Sequence, residues 1–244
     1  MNKVFITGEI PTEGLEMLQE HFEVEVFEGD QLITKDTLLQ KVTDVDAIIC
    51  PLSTNIDKDI IDQAPNLKII ANYGAGFNNI NVKYAREKEI DVTNTPKAST
   101  NATADLTIGI LLAVSRRIAE GDQLCRTTGF NGWAPLFFRG REVSGKTIGI
   151  VGLGEIGSAV ARRAKGFDMN ILYTGPHRKP EQEVSLGATY VSLDEMLEQA
   201  DFITINAAYS DDLHHLFNKE TFEKMKDTAY IINASRGPIV DEQA

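Results

Sequence analysis

The chain has 244 residues, 42% hydrophobic and 25% charged, the balance of an ordinary globular protein long enough for two domains. Its formal net charge of −12, with no basic run to offset it, argues against a nucleic-acid or anionic-membrane partner. Cys50 and Cys125 are its only cysteines, which excludes a disulfide framework and cysteine metal-ligand spacing. The opening MNKVFITGEIP enters a strand with no signal-peptide core, and no apolar run approaches membrane-spanning length. A cytoplasmic enzyme or binding protein is the expectation.

The first hundred residues alternate strand and helix patterns. Val4 to Thr7 reads as a strand, and Leu15, Leu18 and Phe22 mark one face of a helix. Val24 to Phe27 is a second strand, Leu38, Leu39 and Val42 another helical face, and Ala47 to Cys50 a buried strand. A short helix around Ile60, Ile61 and Ala64 ends at Pro65. Leu67 to Ala71 is the next strand, Tyr84-Ala85-Arg86 lies in a helix, and a last strand falls near Ile90 to Thr93. Such alternation implies a parallel sheet with helices on both faces. Ligands of open parallel sheets sit beyond the carboxyl ends of the strands, so the loops Pro51-Leu52-Ser53-Thr54 and Tyr73-Gly74-Ala75-Gly76-Phe77 are candidates. Successive N–H groups in a glycine-rich turn can bind an anion. Two ordinary strand-to-helix turns explain the same residues equally well.

The polar crossing Asn94 to Asn101 suits a domain boundary or hinge, giving domains 1–98 and 99–244. A long helix follows, with Leu106, Ile110, Leu111, Val114 and Ile118 as its apolar stripe and Ser99, Thr100 or Asn101 as its cap. Arg126 to Arg141 (RTTGFNGWAPLFFRGR) is aromatic without periodicity. With Trp133, Phe137 and Phe138 it either packs across the protein's own domains or is covered by a partner subunit; the second is the preferred expectation, making residues near 101–141 a dimerisation arm.

From Lys146 the chain reads KTIGIVGLGEIGSAVARRAKG: an apolar strand, a complete G-x-G-x-x-G and an amphipathic helix. Gly152 suits the tight turn, Gly154 lets a pyrophosphate approach bare backbone, and Gly157 lets helix and strand pack closely. With Glu155 and Ile156 these residues open a helix whose N–H groups and dipole attract phosphate. Arg162, Arg163 and Lys165 lie late in the helix, where positive charge suits its end, and Gly166 is a plausible stop. The context makes a dinucleotide site the preferred reading of this turn. Strands are expected at Asn170 to Thr174, Ala188 to Val191, Phe202 to Ile205 and Ala229 to Asn233, with helices around Leu193 to Leu197 and Phe222 to Met225. Five strands fall short of the usual six, so this second unit is expected to be incomplete at its C-terminus.

The helix start Asn-Ala-Thr-Ala-Asp at 101–105, GKTIGIVGLGEIG and the closing Asn233-Ala234-Ser235-Arg236-Gly237-Pro238 closely resemble the D-isomer-specific 2-hydroxyacid dehydrogenases. Gly-Trp-Ala-Pro-Leu-Phe-Phe and Leu-Tyr-Thr-Gly look most like the glyoxylate/hydroxypyruvate reductases of that family. The resemblance implies a fold of two doubly wound units: a flavodoxin-like substrate domain, here its N-terminal part, and a Rossmann dinucleotide-binding domain. It implies reduction of 2-keto acids to D-2-hydroxy acids with a nicotinamide cofactor. It also implies roles. Ala75 and Gly76 would bind the substrate carboxylate through backbone N–H groups, with Leu52, Ser53 and Trp133 also on the substrate. Thr103 would approach the nicotinamide, Asn206, Ala207, Ala234 and Ser235 would line the cofactor, and Arg236 would be the catalytic arginine. A planar guanidinium can hold the keto oxygen and carboxylate together and stabilise the oxygen as charge develops.

Three departures accompany the resemblance. The family's general-acid histidine and its glutamate partner would lie beyond Arg236, and none of His21, His177, His214 and His215 matches that position. The expectation is a truncated, nearly inactive form of the enzyme. An acid that would bind the ribose of NAD is replaced by Thr174, followed by Arg178 and Lys179; this favours NADP(H) over NAD(H). Asn78 replaces an aspartate, a tolerated change in a turn. A non-enzymatic dinucleotide-binding regulator, or a phosphoglycerate or formate dehydrogenase, remains an alternative.

Overall fold

Short runs of isoleucine, valine and alanine separated by polar turns build parallel strands buried on both faces. The computed structural model, describing residues 1–29, 31–130 and 132–244, places them in two compact units, Met1–Ala98 and Ser99–Ala244.

The first unit runs β1 (Lys3–Ile6), α1 (Thr12–Gln19), β2 (Glu23–Val26), α2 (Lys35–Lys41), β3 (Ala47–Pro51), α3 (Lys58–Gln63), β4 (Ile69–Tyr73), α4 (Val82–Glu87) and β5 (Asp91–Thr93). Its sheet is parallel in the order β2-β1-β3-β4-β5, so the chain reverses direction across the sheet between β1 and β3. Phe5, Ile48 and Ile70 are fully buried beneath Leu38, Ile60 and Ala85 of the helices. Thr34, Asp57 and Asn81 cap α2, α3 and α4, each side chain accepting a backbone N–H that the helix itself leaves unpaired. Two expectations shift. Phe22 lies beyond α1, its N–H closing the helix onto the Leu18 carbonyl at 2.9 Å. Leu67 precedes β4, whose register with β3 runs on to Tyr73 opposite Pro51.

The second unit runs α5 (Thr100–Ser115), α6 (Ile118–Arg126), β6 (Thr147–Val151), α7 (Glu155–Lys165), β7 (Asn170–Thr174), α8 (Pro180–Leu186), β8 (Ala188–Tyr190), α9 (Leu193–Gln199), β9 (Phe202–Ile205), α10 (Lys219–Lys224) and β10 (Tyr230–Asn233). The sheet order is β10-β9-β6-β7-β8, all parallel, the two-sided arrangement of a dinucleotide fold with its reversal between β6 and β9. α5 and α7 cover one face through Ala104, Ile108, Leu111, Val160 and Ala164. α9 and the segment leading into α10 cover the other through Met196, Leu197 and Phe217.

The expected single helix reaching Ile118 is two helices. Arg117 takes a left-handed backbone with φ 56°, and Ile118 opens α6. The physical reason is competition for the Ser115 carbonyl, which accepts the Arg141 N–H at 2.7 Å where the returning arm crosses the helix end. The expected stripe is also displaced. Ala104, Thr107, Ile108, Leu111 and Ser115 are buried, while Leu106, Val114 and Ile118 are exposed. Small residues let α5 approach α7 closely, and the larger ones face away. Ser99 occupies the cap position of α5 without a side-chain cap bond.

Candidate active site

The glycine turn is fixed by crowding on two sides. Gly152 has φ +91°, and a Cβ there would meet the Ala207 backbone at 2.7–2.8 Å. Its N–H donates to the Thr174 carbonyl at 2.9 Å, which ties the ends of β6 and β7 together. A Cβ on Gly157 would lie 2.1 Å from the Gly152 carbonyl oxygen, so α7 can start this close to β6 only with glycine there. Gly154, by contrast, has open space where its Cβ would stand and is the N-cap of α7, with Glu155, Ile156 and Gly157 in the first turn. The exposed N–H groups of that turn are where an anion would be held.

Beyond β9, the Asn206 N–H donates to the Val151 carbonyl at 2.9 Å, seating Asn206 beside β6. Its side-chain Nδ2 and Oδ1 are both buried and lack a hydrogen-bond partner in the structure. Unpaired buried polar atoms are costly, and two on one side chain beside a glycine turn fit a site that a polar ligand completes. Beyond β10, the Ser235 hydroxyl donates to the Ala207 carbonyl and the Ser235 N–H to Asn233 Oδ1. Asn233 Nδ2 in turn donates to the Arg236 carbonyl at 2.9 Å. The turn carrying Ala234, Ser235 and half-buried Arg236 is thereby built from its own side chains and tied to Ala207. Thr103 sits in the first turns of α5, its carbonyl accepting the Thr107 hydroxyl at 2.8 Å.

The segment after β7 is folded back on itself. Tyr173 is buried; its hydroxyl donates to Glu183 and accepts the Lys179 N–H, each at 2.7 Å. Arg178 also grips Glu183, through Nε and Nη2 at 2.8 Å each. The Arg178 guanidinium, followed by the Tyr173 hydroxyl, holds the Glu183 carboxyl down at about 2. Burial first, then the bond to Glu183, pushes the Tyr173 phenol up. Arg178 and Lys179, read together as cations beside Thr174, are thus in different situations.

In the first unit the two candidate loops meet at one end of the sheet. A Cβ on Gly74 would strike the Leu52 side chain at 2.6–3.0 Å, so the loops after β3 and β4 touch. Asn79, buried and unremarked in the sequence, joins them: its Nδ2 donates to the Thr54 carbonyl at 2.9 Å and to Asn72 Oδ1 at 3.1 Å. Asn72 then donates to the Gly76 carbonyl, and Asn94 to the Ala75 carbonyl at 2.7 Å. Among the described residues, neither the Ala75 nor the Gly76 N–H donates to another backbone group. Leu52 and Ser53 are exposed at the rim. The signal for Asn79 was present as Asn78-Asn79, but reading it needed the pairing of β3 with β4, which puts Cys50 opposite Asn72. Cys50 itself is no nucleophile: burial pushes its thiol up to about 12.

Comparison with known proteins gives this geometry a family. The model of the family described as D-isomer specific 2-hydroxyacid dehydrogenase, NAD binding domain, matches residues 108–244. A Staphylococcus aureus (strain MRSA252) protein bearing the name "Putative 2-hydroxyacid dehydrogenase" is 71% identical over all 244 residues, which span 77% of its length. The chain belongs to the D-isomer specific 2-hydroxyacid dehydrogenase family. Among solved structures, a Thermus thermophilus protein, TT0316, is 37% identical with a TM-score of 0.92, covering 99% of this chain and 76% of its own. A glyoxylate reductase from Paecilomyes thermophila is 32% identical with a TM-score of 0.87, covering 100% of this chain and 76% of its own. The protein is therefore a family oxidoreductase with a nicotinamide-dinucleotide domain.

Two groups of residues stand apart from the glycine turn of this family member. Trp133 is 86% exposed and lines an apolar recess with Phe130, Phe137 and Phe138, where Phe138 lies under Arg117 at 4.3 Å. Asn131, in the same arm, lies outside the described residues. His214 and His215 stack at 4.0 Å, and His214 bonds to the Tyr209 hydroxyl at 3.2 Å. The His215 N–H donates to the Pro238 carbonyl at 2.8 Å, a backbone link to the Arg236 turn that sequence spacing did not suggest. No described helix is long and apolar enough to cross a membrane.

Proposed function

We propose that this family member is an NADP(H)-linked reductase of small 2-keto acids, glyoxylate or hydroxypyruvate, in which residues 1–98 bind substrate and residues 99–244 bind the dinucleotide. The observation that carries this reading is the turn at Ala75 and Gly76, whose carbonyls accept from Asn94 and Asn72 and whose N–H groups have no backbone acceptor among the described residues. Such a pair suits a substrate carboxylate. Leu52 and Ser53 are its proposed neighbours in the first unit, and Trp133 is a further proposed substrate residue. When bound, a nicotinamide cofactor supplies the hydride. Gly152, Gly154, Glu155, Ile156 and Gly157 would hold its pyrophosphate, Thr103, Asn206, Ala207, Ala234 and Ser235 its nicotinamide half, and Thr174 its adenosine ribose. Arg236 would hold the substrate carboxylate and keto oxygen, stabilising the charge that grows on oxygen.

The similarity to a glyoxylate reductase supports the substrate class. Thr174 supports NADP(H), since a carboxylate at that place would repel a 2′-phosphate. No histidine among the 244 residues is assigned to the proton, so these residues alone should turn over more slowly by roughly 10²–10⁴ than with a positioned acid. Exposed Leu106, Val114, Phe130, Trp133, Leu136 and Phe137 support a homodimer assembled through the arm, and the proposed location is the cytoplasm. Steady-state rates on glyoxylate, hydroxypyruvate and phosphohydroxypyruvate with both reduced cofactors test the reading. Highest kcat/KM on either of the first two with NADPH is expected; a preference for phosphohydroxypyruvate overturns the substrate, and for NADH the cofactor.

A further inference from the structure

Arg178 and Lys179 are adjacent cations that the sequence offers as equal partners for a phosphate. The fold separates them. Arg178 spends both Nε and Nη2 on the Glu183 carboxylate, in the two-pronged geometry that phosphate itself would use. Glu183 is further held by buried Tyr173, and its side chain is only 15% exposed, so the pair is part of the loop's framework. An incoming phosphate would have to displace a carboxylate already seated in that fork.

Two cations that line a cavity at the glycine turn have no carboxylate partner among the described residues. Lys179, whose backbone is pinned by Tyr173, and Arg162, on α7, both line a cavity of about 410 Å³ with Gly154, Ser158 and Gln182. Glu155 is the one carboxylate on its wall, so the lining carries two positive charges against one negative. The sequence places Arg162 and Arg163 alike at the end of α7, yet Arg163 is the residue that bonds back to the helix, at the Ala159 carbonyl, and pairs with Asp105. Arg162 is left facing the cavity that begins at the glycine turn.

We propose that Arg162 and Lys179, rather than Arg178, read the 2′-phosphate of NADP(H), and that Glu183 is the positioning residue that withdraws Arg178 from it. The proposal rests on the NADP(H) reading above and names the residues that make the choice. Arg162 contributes a planar fork suited to two phosphate oxygens, and Lys179 a point charge on the same cavity's lining. Gly154, where a pyrophosphate would approach bare backbone, lines the same cavity, which places it in the neighbourhood of a phosphate on the adjoining ribose.

Fluorescence titration of the 244-residue chain with NADPH and NADH, and competition by 2′,5′-ADP, tests this without turnover. Wild type is expected to prefer NADPH. Arg162→Gln and Lys179→Gln should each weaken NADPH and 2′,5′-ADP by about tenfold or more, the worth of a charge-assisted bond, and NADH by less than about twofold. Arg178→Gln should weaken both cofactors alike, because it loosens the loop, and Glu183→Gln should shift selectivity further toward NADPH by freeing a guanidinium. Retained selectivity in Arg162→Gln, or selectivity lost only in Arg178→Gln or in Glu183→Gln, overturns the assignment while leaving the NADP(H) reading intact. A wild type that prefers NADH overturns that reading itself.

Discussion

The two units are the same construction carried to different ends. Each has five parallel strands, and each reverses across its sheet beside its first strand, between β1 and β3 or between β6 and β9. The turns after those first strands differ. In the second unit Gly152 and Gly157 are packed so tightly that a Cβ would lie within 2.1–2.9 Å of backbone or side chain. In the first unit the corresponding turn is closed by side chains, Thr7 bonding to Thr54 at 2.9 Å, both buried, and a Cβ on Gly8 would stand an ordinary 3.7 Å from Pro51. One sheet therefore presents bare backbone after its first strand. The other presents it after β4, at Ala75 and Gly76, whose carbonyls are held by Asn72 and Asn94. The fold supplies the crevice; the turn chemistry decides which anion it can hold.

The sharpest way to break the comparison is Gly157→Ala. The added methyl meets the Gly152 oxygen at 2.1 Å, so α7 must move off β6. Overpacking of this kind costs about 1–3 kcal/mol, and the shift also spoils the N–H geometry of the turn. Loss of most dinucleotide binding in a fluorescence titration is expected, with a lowered thermal midpoint. Unchanged affinity would mean that the turn does not hold the pyrophosphate.

Asn79→Ala probes the equivalent device in the first unit. It leaves the Thr54 carbonyl and Asn72 Oδ1 without their shared donor inside a buried network. An unsatisfied buried partner costs about 1–3 kcal/mol, to be read as a lower urea midpoint. Dinucleotide affinity should be untouched, and a parallel loss of it would contradict the division of labour between the units.

Glu183→Gln acts through charge in the second unit. The folded carboxyl sits at about 2 against an ordinary 4.5, so its contribution to stability is fully present above about 4.5 and is lost as pH falls through about 2. The thermal midpoint of the variant should lie below wild type at neutral pH, and the gap should narrow on acidification across that window. A gap independent of pH would show that packing, not ionisation, joins Arg178 to Glu183.

Much of this was legible beforehand because it is local. G-x-G-x-x-G between a strand and a helix, the strand–helix alternation and the Ser-Arg-Gly turn are each written within a dozen residues. What escaped depends on tertiary partners. The end of α5 is set by Arg141 taking the Ser115 carbonyl, and the buried face of α5 by the small residues that let α7 approach. Asn79 matters because β3 and β4 pair in one register, and Arg178 is withdrawn by a glutamate on α8 that helical periodicity alone would place at the surface. Residues of one sequence class, here two neighbouring cations, are sorted into structure and site by contacts that no spacing encodes.

The smallest expected effect is also a control on the whole comparison. Gly8 has no left-handed backbone, and its Cβ position meets only Pro51, at 3.7–4.0 Å. Replacing glycine by alanine at a compatible site removes freedom from the unfolded chain and stabilises by about 0.4–1 kcal/mol. Gly8→Ala should therefore unfold at the same temperature as wild type or slightly above it, and bind dinucleotide with the same affinity. A marked loss of stability or binding would mean that the first turn needs bare backbone as the glycine turn does. The contrast between the two units would then lie in what each crevice receives rather than in how each turn is built.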